Sequence, residues 1–417
     1  MIFFIIFFSL FLTGCGGSST NEKPVPEPEK KISISLSDTG RSSTWYEIPQ
    51  YYDGVPKYSG AFGTYTAKHT PIAIKHNGKT YYTYSDNSDG VLRIFVSDET
   101  DHIEVHYSTY LNDPHSNATI SVDAEGHIMV YVSARGAKEL GAVYRSVEPE
   151  SISEFQHVTD TWMAYPQPWE TPQGQIVLHT LYERYENRNQ RQLYVTSDQC
   201  TKKLVEGGHY QMSTYDGSRL HTVYNFHPGG NVDQRTGLYY MYSDDGCTWF
   251  NKAGQVLELP VEPDSDLTRI LKTDKFIYLK DIGMKGLDPR ILYTESDSFD
   301  PTVGTRELFL TSIDGPPILV NKTGHNYNVG YYHYDSDFEY VVYVDFAPEE
   351  DRKFYAGGNL QQKILKSDGS WEVTPMMYVG YFNYARKVFG GDGEGFVSQE
   401  IDHNSGRMIK VEISYNF

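Results

Sequence analysis

Short runs in which apolar and polar residues alternate make up most of the chain from residue 32 onward. Clear examples are residues 79–84, 128–132, 237–242 and 339–344. Gly, Asn, Asp and Pro bound these runs, and turn residues return about every 8 to 12 positions. Alternation with a period of two and frequent turns is typical of an all-β sandwich, barrel or propeller. No segment predicts a helix longer than two turns.

A weak internal repeat favours the propeller among these folds. Several predicted strands run into a Ser-Asp or Asp-Gly turn, and these turns lie at 97–98, 197–198, 243–249, 296–297, 312–315 and 367–371. The segment 243–249 resembles an Asp-box, a hairpin turn in which an aspartate caps backbone amides and a tryptophan packs beneath. The Ser-Asp pairs that begin at 197, 243 and 296 are 46 and 53 residues apart, near the length of one four-stranded blade.

The length of the chain indicates the number of blades. Residues 36–417 number 382, and seven blades would then take about 55 residues each. We therefore expect an all-β fold, a seven-bladed β-propeller with four antiparallel strands per blade. A run of unrelated turns in a β-sandwich is the alternative.

Composition and charge exclude one class of function. The chain has 417 residues, of which 39% are hydrophobic and 35 are tyrosine, so it can bury a large core of pleated strands. It carries 55 acidic and 36 basic residues, a net charge of −19. Nucleic-acid binders depend on basic residues that neutralise phosphates, so this balance argues against nucleic acid as a partner.

The first residues predict export. Residues 2–12 are apolar except for Ser9, and the pattern 12–15, Leu-Thr-Gly-Cys, resembles a bacterial lipobox. We expect a lipoprotein signal peptide at 1–14, lipidation of Cys15, a charged Pro-containing tether at 15–31 and one propeller domain at 32–417. No Lys or Arg precedes the apolar run, and an ordinary cleaved signal is the alternative. The expected location is the outer membrane or cell surface, with the lipid as the only membrane contact.

Beyond Cys15, the chain contains two cysteines, Cys200 and Cys247. In an exported protein they can form a disulfide, remain buried thiols, or share a metal with a nearby histidine such as His209 or His227. The sequence leaves these three states open.

Candidate chemistry lies in polar segments between predicted strands, because propellers bind ligands where loops from several blades converge. The segments are 112–117 (Asn-Asp-Pro-His-Ser-Asn), 163–169 with 182–185, 207–211 (Gly-Gly-His-Tyr-Gln), and 223–230 leading into 235–237.

Two stretches of sequence resemble known families. Residues 225–254, with Arg-Thr-Gly-Leu-Tyr-Tyr and the Asp-box, resemble the BNR-repeat propellers. The Asp-Pro-His-Ser-Asn, Tyr-Pro-x-Pro-Trp and Gly-His-Tyr-Gln segments, in this order, resemble the ulvan lyases built on seven-bladed propellers. The resemblance spans about residues 75 to 375. It implies β-elimination on a sulfated, uronate-containing algal polysaccharide.

β-Elimination on a uronate needs a base for the C5 proton, a charge that neutralises the carboxylate and an acid for the leaving O4 oxygen. The resemblance implies His115 as the base, Tyr165 as the acid and Arg184 as the neutralising cation, with Tyr224 beside Arg184. His115 can instead be a loop residue that holds a turn, and Tyr165 one of many packing tyrosines.

Six further residues are candidate substrate contacts: Arg135, Trp169, His209, Tyr210, His227 and Arg235. Many relatives carry a histidine near the position of Arg135. Arg135 is therefore either a replacement contact for carboxylate or sulfate, or a mark of altered specificity or lost activity. His209, His227 and Arg235 can instead be hydrogen-bonded spacers between blades, and the two histidines can be metal ligands beside Cys247.

Two other functions remain as alternatives: a sialidase-like glycoside hydrolase, and a surface lipoprotein that captures glycan without cleaving it. A histidine base requires no cofactor, so a bound Zn²⁺ or Ca²⁺ would be structural. We expect a monomer, and a basic or neutral substrate face on an otherwise acidic protein.

Overall fold

The computed structural model describes residues 31–52, 55–61, 68–108, 114–134, 139–185, 188–227, 233–298, 300, 303–336, 338–346, 357–373, 378–402 and 404–416. Within these ranges the chain is almost entirely strand and turn, and the single helical element is a 3₁₀ turn, Pro114–Ser116. The predicted all-β class is therefore confirmed. None of the described helical residues forms a helix long and apolar enough to cross a membrane.

Alternating sequence produces strands with one face in the core. In the strand Leu92–Ser97, the side chains of Leu92, Ile94 and Val96 are all 0% exposed, whereas Arg93 and Phe95 are partly exposed. The neighbouring strands Ala118–Val122 and Ile128–Val132 are buried at every position, as expected for strands packed on both faces. Removal of these apolar faces from water stabilises the sheets by roughly 25 cal/mol per Å² of buried apolar surface.

Thirty strands are described. In chain order, the first strands are β1 (Lys31–Thr44), β2 (Tyr46–Tyr52) and β3 (Val55–Gly60). The next are β4 (Ala73–His76), β5 (Lys79–Asp86), β6 (Leu92–Ser97), β7 (His102–Ser108), β8 (Ala118–Val122), β9 (Ile128–Val132), β10 (Gly141–Ser146) and β11 (Phe155–Thr161). Then follow β12 (Ala164–Thr171), β13 (Gly174–Tyr185), β14 (Arg188–Ser197), β15 (Thr201–Val205), β16 (Gly208–Tyr215), β17 (Leu220–Phe226), β18 (Thr236–Ser243) and β19 (Trp249–Phe250). The last are β20 (Arg269–Lys285), β21 (Asp288–Ser296), β22 (Arg306–Ser312), β23 (Ile318–Lys322), β24 (Gly330–Tyr334), β25 (Glu339–Phe346), β26 (Gly358–Leu365), β27 (Trp371–Val373), β28 (Tyr378–Lys387), β29 (Gly395–Asp402) and β30 (Ser405–Asn416).

The strands pair in antiparallel sets of four, each made from consecutive strands except the last. The sets are β4–β7, β8–β11, β12–β15, β16–β19, β20–β23, β24–β27 and β28–β30 with β1. Additional pairing of β18 with β20 and of β26 with β28 links four of these sets into two eight-stranded sheets. β1 adds to the edge of β30, from Lys31 opposite Asn416 to Thr44 opposite Ser405, so the two ends of the chain share one sheet. The short β2–β3 hairpin stands apart from these sets.

The first strand of each set lies innermost, and neighbouring innermost strands contact one another from β4 through β8, β12, β16, β20 and β24 to β28. A parallel bridge between Ile74 and Phe389 joins the last of them to the first. A closed ring of four-stranded antiparallel sheets is a β-propeller. The expected β-propeller of four-stranded antiparallel sheets is confirmed, and the number of seven blades stays a prediction.

The hydrophobic core lies between neighbouring sheets. One cluster combines residues of β4–β7 with residues of β8–β11, and another combines β12–β15 with β16–β19. The disulfide Cys200–Cys247 joins the turn that follows β14 to the turn that follows β18, across the second of these interfaces. Of the three states open from sequence, the pair is therefore a disulfide.

The segment 243–249 has the geometry predicted for an Asp-box. Asp245 Oδ1 accepts hydrogen bonds from the backbone N–H of Cys247 at 2.7 Å and of Thr248 at 2.6 Å. Trp249 is 0% exposed, and its Nε1 donates to the carbonyl of Gly246 at 2.9 Å. These contacts tie the turn to the sheet beneath it.

The repeat spacing inferred from Ser296 was wrong. The turns at Ser197 and Ser243 join the third and fourth strands of their sets, whereas Ser296 ends β21, the second strand of its set. The equivalent turn in the β20–β23 set begins at Ser312, whose Oγ accepts from the backbone N–H of Gly315 at 2.7 Å. Blade length therefore varies more than the spacing of 53 residues implied.

The predicted signal peptide 1–14, Cys15 and the tether up to residue 30 lie outside the described residues. Lys31, expected at the end of the tether, is instead the first residue of β1.

Candidate active site

A bulge recurs in three innermost strands, and a tyrosine lies in each of these bulges. The register shifts after Ala164 in β12, after His209 in β16 and after Asn383 in β28. The next residue in each case is a tyrosine with positive φ: Tyr165 (51°), Tyr210 (53°) and Tyr384 (52°). A bulky residue with positive φ is unusual, and such strain concentrates at functional sites.

Two of these tyrosines and two histidines lie together. The ring of Tyr165 lies 5.8 Å from that of Tyr210, 6.2 Å from that of His115 and 5.1 Å from that of His69. His69 Nε2 shares a 3.1 Å hydrogen bond with the carbonyl of His115. His115 lies in the 3₁₀ turn before β8, and His69 precedes β4, so four adjacent innermost strands contribute to one site.

Arg191 binds this aromatic group from β14. Its Nη2 donates to the hydroxyl of Tyr165 at 3.0 Å. Its guanidinium carbon lies 5.1 Å from the ring centre of Tyr165, 5.0 Å from that of Tyr182 and 4.8 Å from that of Tyr210. Tyr182 is opposite Arg191 in the β13–β14 pairing, which places both side chains on the same face of the sheet.

Arg235 occupies the other side of Tyr210. Its guanidinium carbon lies 4.1 Å from the ring centre of Tyr210, 4.9 Å from that of Tyr278 and 5.2 Å from that of Tyr327. Its Nη2 donates to the hydroxyl of Tyr327 at 2.8 Å, and Tyr327 in turn donates to a carboxylate oxygen of Asp233. Arg235 is therefore fixed in position, with Tyr210 between two guanidinium groups.

This arrangement changes the acidity of Tyr210. Burial alone would raise its pKa, because a phenolate loses hydration. The positive charges of Arg191 and Arg235, with hydrogen bonds from Arg191 and Tyr165, outweigh burial and lower the pKa of Tyr210 below its ordinary value. Most other buried tyrosines with a resolved shift, such as Tyr278, have a raised pKa because burial dominates. Tyr210 therefore loses its proton more readily than an ordinary tyrosine.

Further buried basic side chains lie close to Tyr210. Lys68 Nζ lies 5.4 Å from the ring centre of Tyr210 and donates to the carbonyl of Leu279 at 2.6 Å. Burial, together with repulsion from Arg235, Lys280 and Arg386, lowers the pKa of Lys68. Burial also lowers the pKa of Arg386 to about 10. The described part of the site is therefore basic, although the whole chain carries a charge of −19.

Two predicted site residues lie in the core instead. Tyr224 is 0% exposed, stacks on Tyr239 at 5.1 Å and shares a 2.8 Å hydrogen bond with Thr268. Trp169 is 7% exposed, and its Nε1 donates to the hydroxyl of Ser213 at 2.8 Å. Both belong to the hydrophobic cluster between the β12–β15 and β16–β19 sheets, where a glycan has no access. We correct both assignments to packing roles.

Three predicted residues cannot be placed by their side chains. Arg135 lies outside the described residues, and only the backbone of Arg184 and of His209 is described, paired with Asn189 and Asn225 respectively. His227 is partly exposed and directly follows β17. Of the predicted residues, the structure thus brings together His115, Tyr165, Tyr210 and Arg235.

The sequence alone did not predict that His69, Asp233 and Tyr327 belong to the site, nor that Arg191 contacts Tyr165. Arg191 carried one signal, since it lies in the polar stretch 186–192 between two predicted strands. His69, Asp233 and Tyr327 belong to no motif, and they reach the site because consecutive blades return to the same axis. Among the described residues, no group of His, Cys, Asp and Glu has the arrangement of a metal site.

Comparison with known proteins agrees with this fold. Residues 79–281 match the family model described as BNR repeat-containing family member, which confirms the resemblance to the BNR-repeat propellers. The structure of the polysaccharide lyase Uly1 is similar, with a TM-score of 0.58 and 10% identity over 91% of this chain and 98% of that chain. At this identity, the likeness shows the fold alone.

Two further structures resemble the chain more weakly. An α-L-arabinanase of Penicillium chrysogenum has a TM-score of 0.41 at 10% identity, covering 70% of this chain and 91% of that chain. The β-propeller domain of the Trilobed protease from Pyrococcus furiosus has a TM-score of 0.43 at 8% identity, covering 82% and 95%. A search of curated proteins gave no match.

Proposed function

We propose that this chain, with its BNR-repeat segment at residues 79–281, is a polysaccharide lyase. Its proposed substrate is a sulfated, uronate-containing algal polysaccharide of the ulvan type. The observation that carries the proposal is the Tyr165–Tyr210 pair, held between Arg191 and Arg235 beside His115. The similar fold of the polysaccharide lyase Uly1 adds support.

The residue types suit each step of β-elimination. His115 takes the C5 proton of the uronate, the C4=C5 double bond forms, and Tyr165 gives its phenolic proton to the departing O4 oxygen. The hydrogen bond from Arg191 to the Tyr165 oxygen stabilises the phenolate that this step leaves. Transfer of the proton from His115 back to Tyr165 restores the starting state.

Tyr210 lies next to Tyr165 and supports this proton transfer. Its lowered pKa means that Tyr210 loses its proton more readily than an ordinary tyrosine, and it accepts a hydrogen bond from Tyr165. Arg191 and Tyr210 together hold the phenolic oxygen of Tyr165 in position to act on O4, and Arg235 stabilises the negative charge of a phenolate at Tyr210. Arg184, which the resemblance assigns to the uronate carboxylate, stays in that proposed role.

Buried basic groups make the proposed substrate a polyanion rather than a neutral glycan. The guanidinium carbons of Arg191 and Arg235 lie 4.8 and 4.1 Å from the ring centre of Tyr210. Positive groups in a water-poor site attract carboxylate and sulfate strongly. The acidic remainder of the protein repels the same polymer, and dissolved salt screens that repulsion.

The proposal extends to location and cofactors. Lipid on Cys15 would anchor the propeller as a monomer at the outer membrane or cell surface, within reach of polymer outside the cell. The reaction as written requires no cofactor, and a bound metal would serve a structural role.

The test is ultraviolet absorbance of the purified protein incubated with ulvan and with other uronate polysaccharides. A rise from the conjugated double bond at the new chain end is expected, and His115→Ala and Tyr165→Phe should each lower turnover about 100-fold or more. Tyr224→Phe is the matched control, since its hydroxyl bonds Thr268 in the core, and its turnover should stay within about twofold of wild type.

Two outcomes would contradict the proposal. New reducing ends without ultraviolet absorbance would indicate a hydrolase. Binding of polymer without cleavage, in protein shown by circular dichroism to be folded, would indicate glycan capture.

A further inference from the structure

An exposed tryptophan lies beside the candidate site. Trp162 is 48% exposed, although the next three residues, Met163 to Tyr165, are each 3% exposed. The chain contains five tryptophans. Trp45, Trp169 and Trp249 are buried, and Trp371 is partly buried, so Trp162 is the one with substantial solvent contact.

Trp162 has an apolar partner. Gly141 pairs with Thr161 in the β10–β11 ladder, and the preceding residue, Leu140, is therefore across from Trp162 at the end of the same two strands. Leu140 is 46% exposed. An exposed aromatic residue next to an exposed leucine forms a small apolar surface, which we call the Trp162 platform.

Hydrogen bonds of the residues that follow Trp162 hold the Trp162 platform next to the candidate site. The carbonyl of Met163 accepts from the backbone N–H of Ala134 at 2.6 Å. The backbone N–H of Tyr165 donates to Ser133 Oγ at 3.0 Å. Three residues span at most about 11 Å, so the platform lies within reach of a sugar next to the one held at Tyr165.

We infer that the Trp162 platform is a stacking subsite for a pyranose ring of the polysaccharide chain bound at Tyr165. The C–H face of a sugar ring is apolar and packs on an aromatic ring, whereas its hydroxyl and sulfate groups point to the edges. The platform supplies apolar contact without charge, in contrast to the cations around Tyr210. This inference rests on the proposed function only for the identity of the polymer.

Two measurements on the full-length protein test the subsite. Polymer at saturating concentration should protect wild-type fluorescence from acrylamide quenching, because Trp162 is the accessible tryptophan. In the lyase assay, Trp162→Ala should raise KM for polymer about tenfold and leave kcat within about twofold, and Trp162→Phe should restore most of the affinity.

The matched control is Leu287→Ala. Leu287 is 82% exposed but lies in the turn from β20 to β21, at the opposite end of the innermost strand from the site. It should leave KM and quenching unchanged. An unchanged KM or dissociation constant in Trp162→Ala, or quenching unaffected by polymer, would overturn the subsite.

These measurements separate the two proposals. Polymer binding that weakens about tenfold in Trp162→Ala, without ultraviolet absorbance from any variant, would refute the lyase and keep the subsite. Lyase turnover that is indifferent to Trp162→Ala would refute the subsite and keep the lyase.

Discussion

Replacement of Arg191 by methionine tests the centre of the proposed mechanism. Methionine fills a similar volume but removes the hydrogen bond to Tyr165, which spans 3.0 Å, and the charge that lies 4.8 Å from the Tyr210 ring centre. Both effects act on the two tyrosines and leave His115 in place. Arg191→Met therefore separates electrostatic support from the proposed base.

The expected effect on stability is small. Contact of the guanidinium with three tyrosine rings contributes about 0.5 to 2 kcal/mol each. Desolvation of the charge costs several kcal/mol, which offsets most of that gain, and apolar replacements of buried charges are often neutral. The free energy of unfolding should therefore change by no more than about 2 kcal/mol.

The expected effect on activity is large. Loss of one preorganised donor to a developing negative charge typically costs about 100- to 1,000-fold in kcat. Without the positive charge of Arg191, the pKa of Tyr210 rises, since burial then dominates. If Tyr210 works as a phenolate, the rising limb of the pH–rate profile should move to higher pH in Arg191→Met.

The assay combines urea unfolding with pH–rate profiles from ultraviolet absorbance. Arg191→Lys is the control, because it keeps a charge but loses the forked geometry, and it should show a smaller pH shift than Arg191→Met. A folded Arg191→Met protein with kcat within about fivefold of wild type would refute the reasoning. So would a loss of activity matched by loss of the folded state.

Three further predictions follow from other parts of the structure. Replacement of Cys200 and Cys247 by serine opens a link between residues 47 apart and should lower the free energy of unfolding by up to about 4 kcal/mol, read from urea melts; an unchanged midpoint would contradict this. Burial lowers the pKa of His179 to about 4. The neutral form therefore stabilises the fold above pH ~6.5, and this contribution, at most about 3 kcal/mol, is lost as pH falls from ~6.5 through ~4. His179→Gln should flatten the decline of thermal stability over that interval, and a parallel decline would contradict the assignment. Because the repulsion from the acidic surface is long-range and the contacts of Arg235 are short-range, added salt at low ionic strength should raise kcat/KM for polymer rather than lower it.

The fold was predictable because its signals are local. Strand alternation and turn residues recur along the whole chain, and the Asp-box at Ser243 carries its own hydrogen bonds. The spacing argument failed at Ser296, since a Ser-Asp turn has the same sequence whether it joins the second and third strands of a blade or the third and fourth. Closure through β1 also has no local signal, because it depends on residues 31–44 meeting residues 405–416.

Residues of the site were predictable only where they lie in a recognisable sequence motif. His115, Tyr165 and Tyr210 lie in the segments singled out from sequence, and the structure places them together. Tyr224 lies in a similar segment yet points into the core, because it occupies the second strand of its blade rather than the bulge of the first. Whether a strand residue is buried depends on which face of the sheet its side chain takes. A one-residue bulge reverses that face.

The bulges explain why tyrosines form this site. At the same level of the ring, β12, β16 and β28 each hold a tyrosine with positive φ, a conformation that costs about 1 to 3 kcal/mol for a bulky residue. A bulge changes the face that the following side chain takes, and Tyr165 and Tyr210 contact each other rather than the hydrophobic cluster that contains Tyr224. Contacts with other side chains must then hold the tyrosine rings in position. Arg191 provides such a contact for Tyr165, and Arg235 provides one for Tyr210. The guanidinium groups therefore fix the position of the tyrosines and shift their acidity in a single arrangement, so a change at either arginine should alter both.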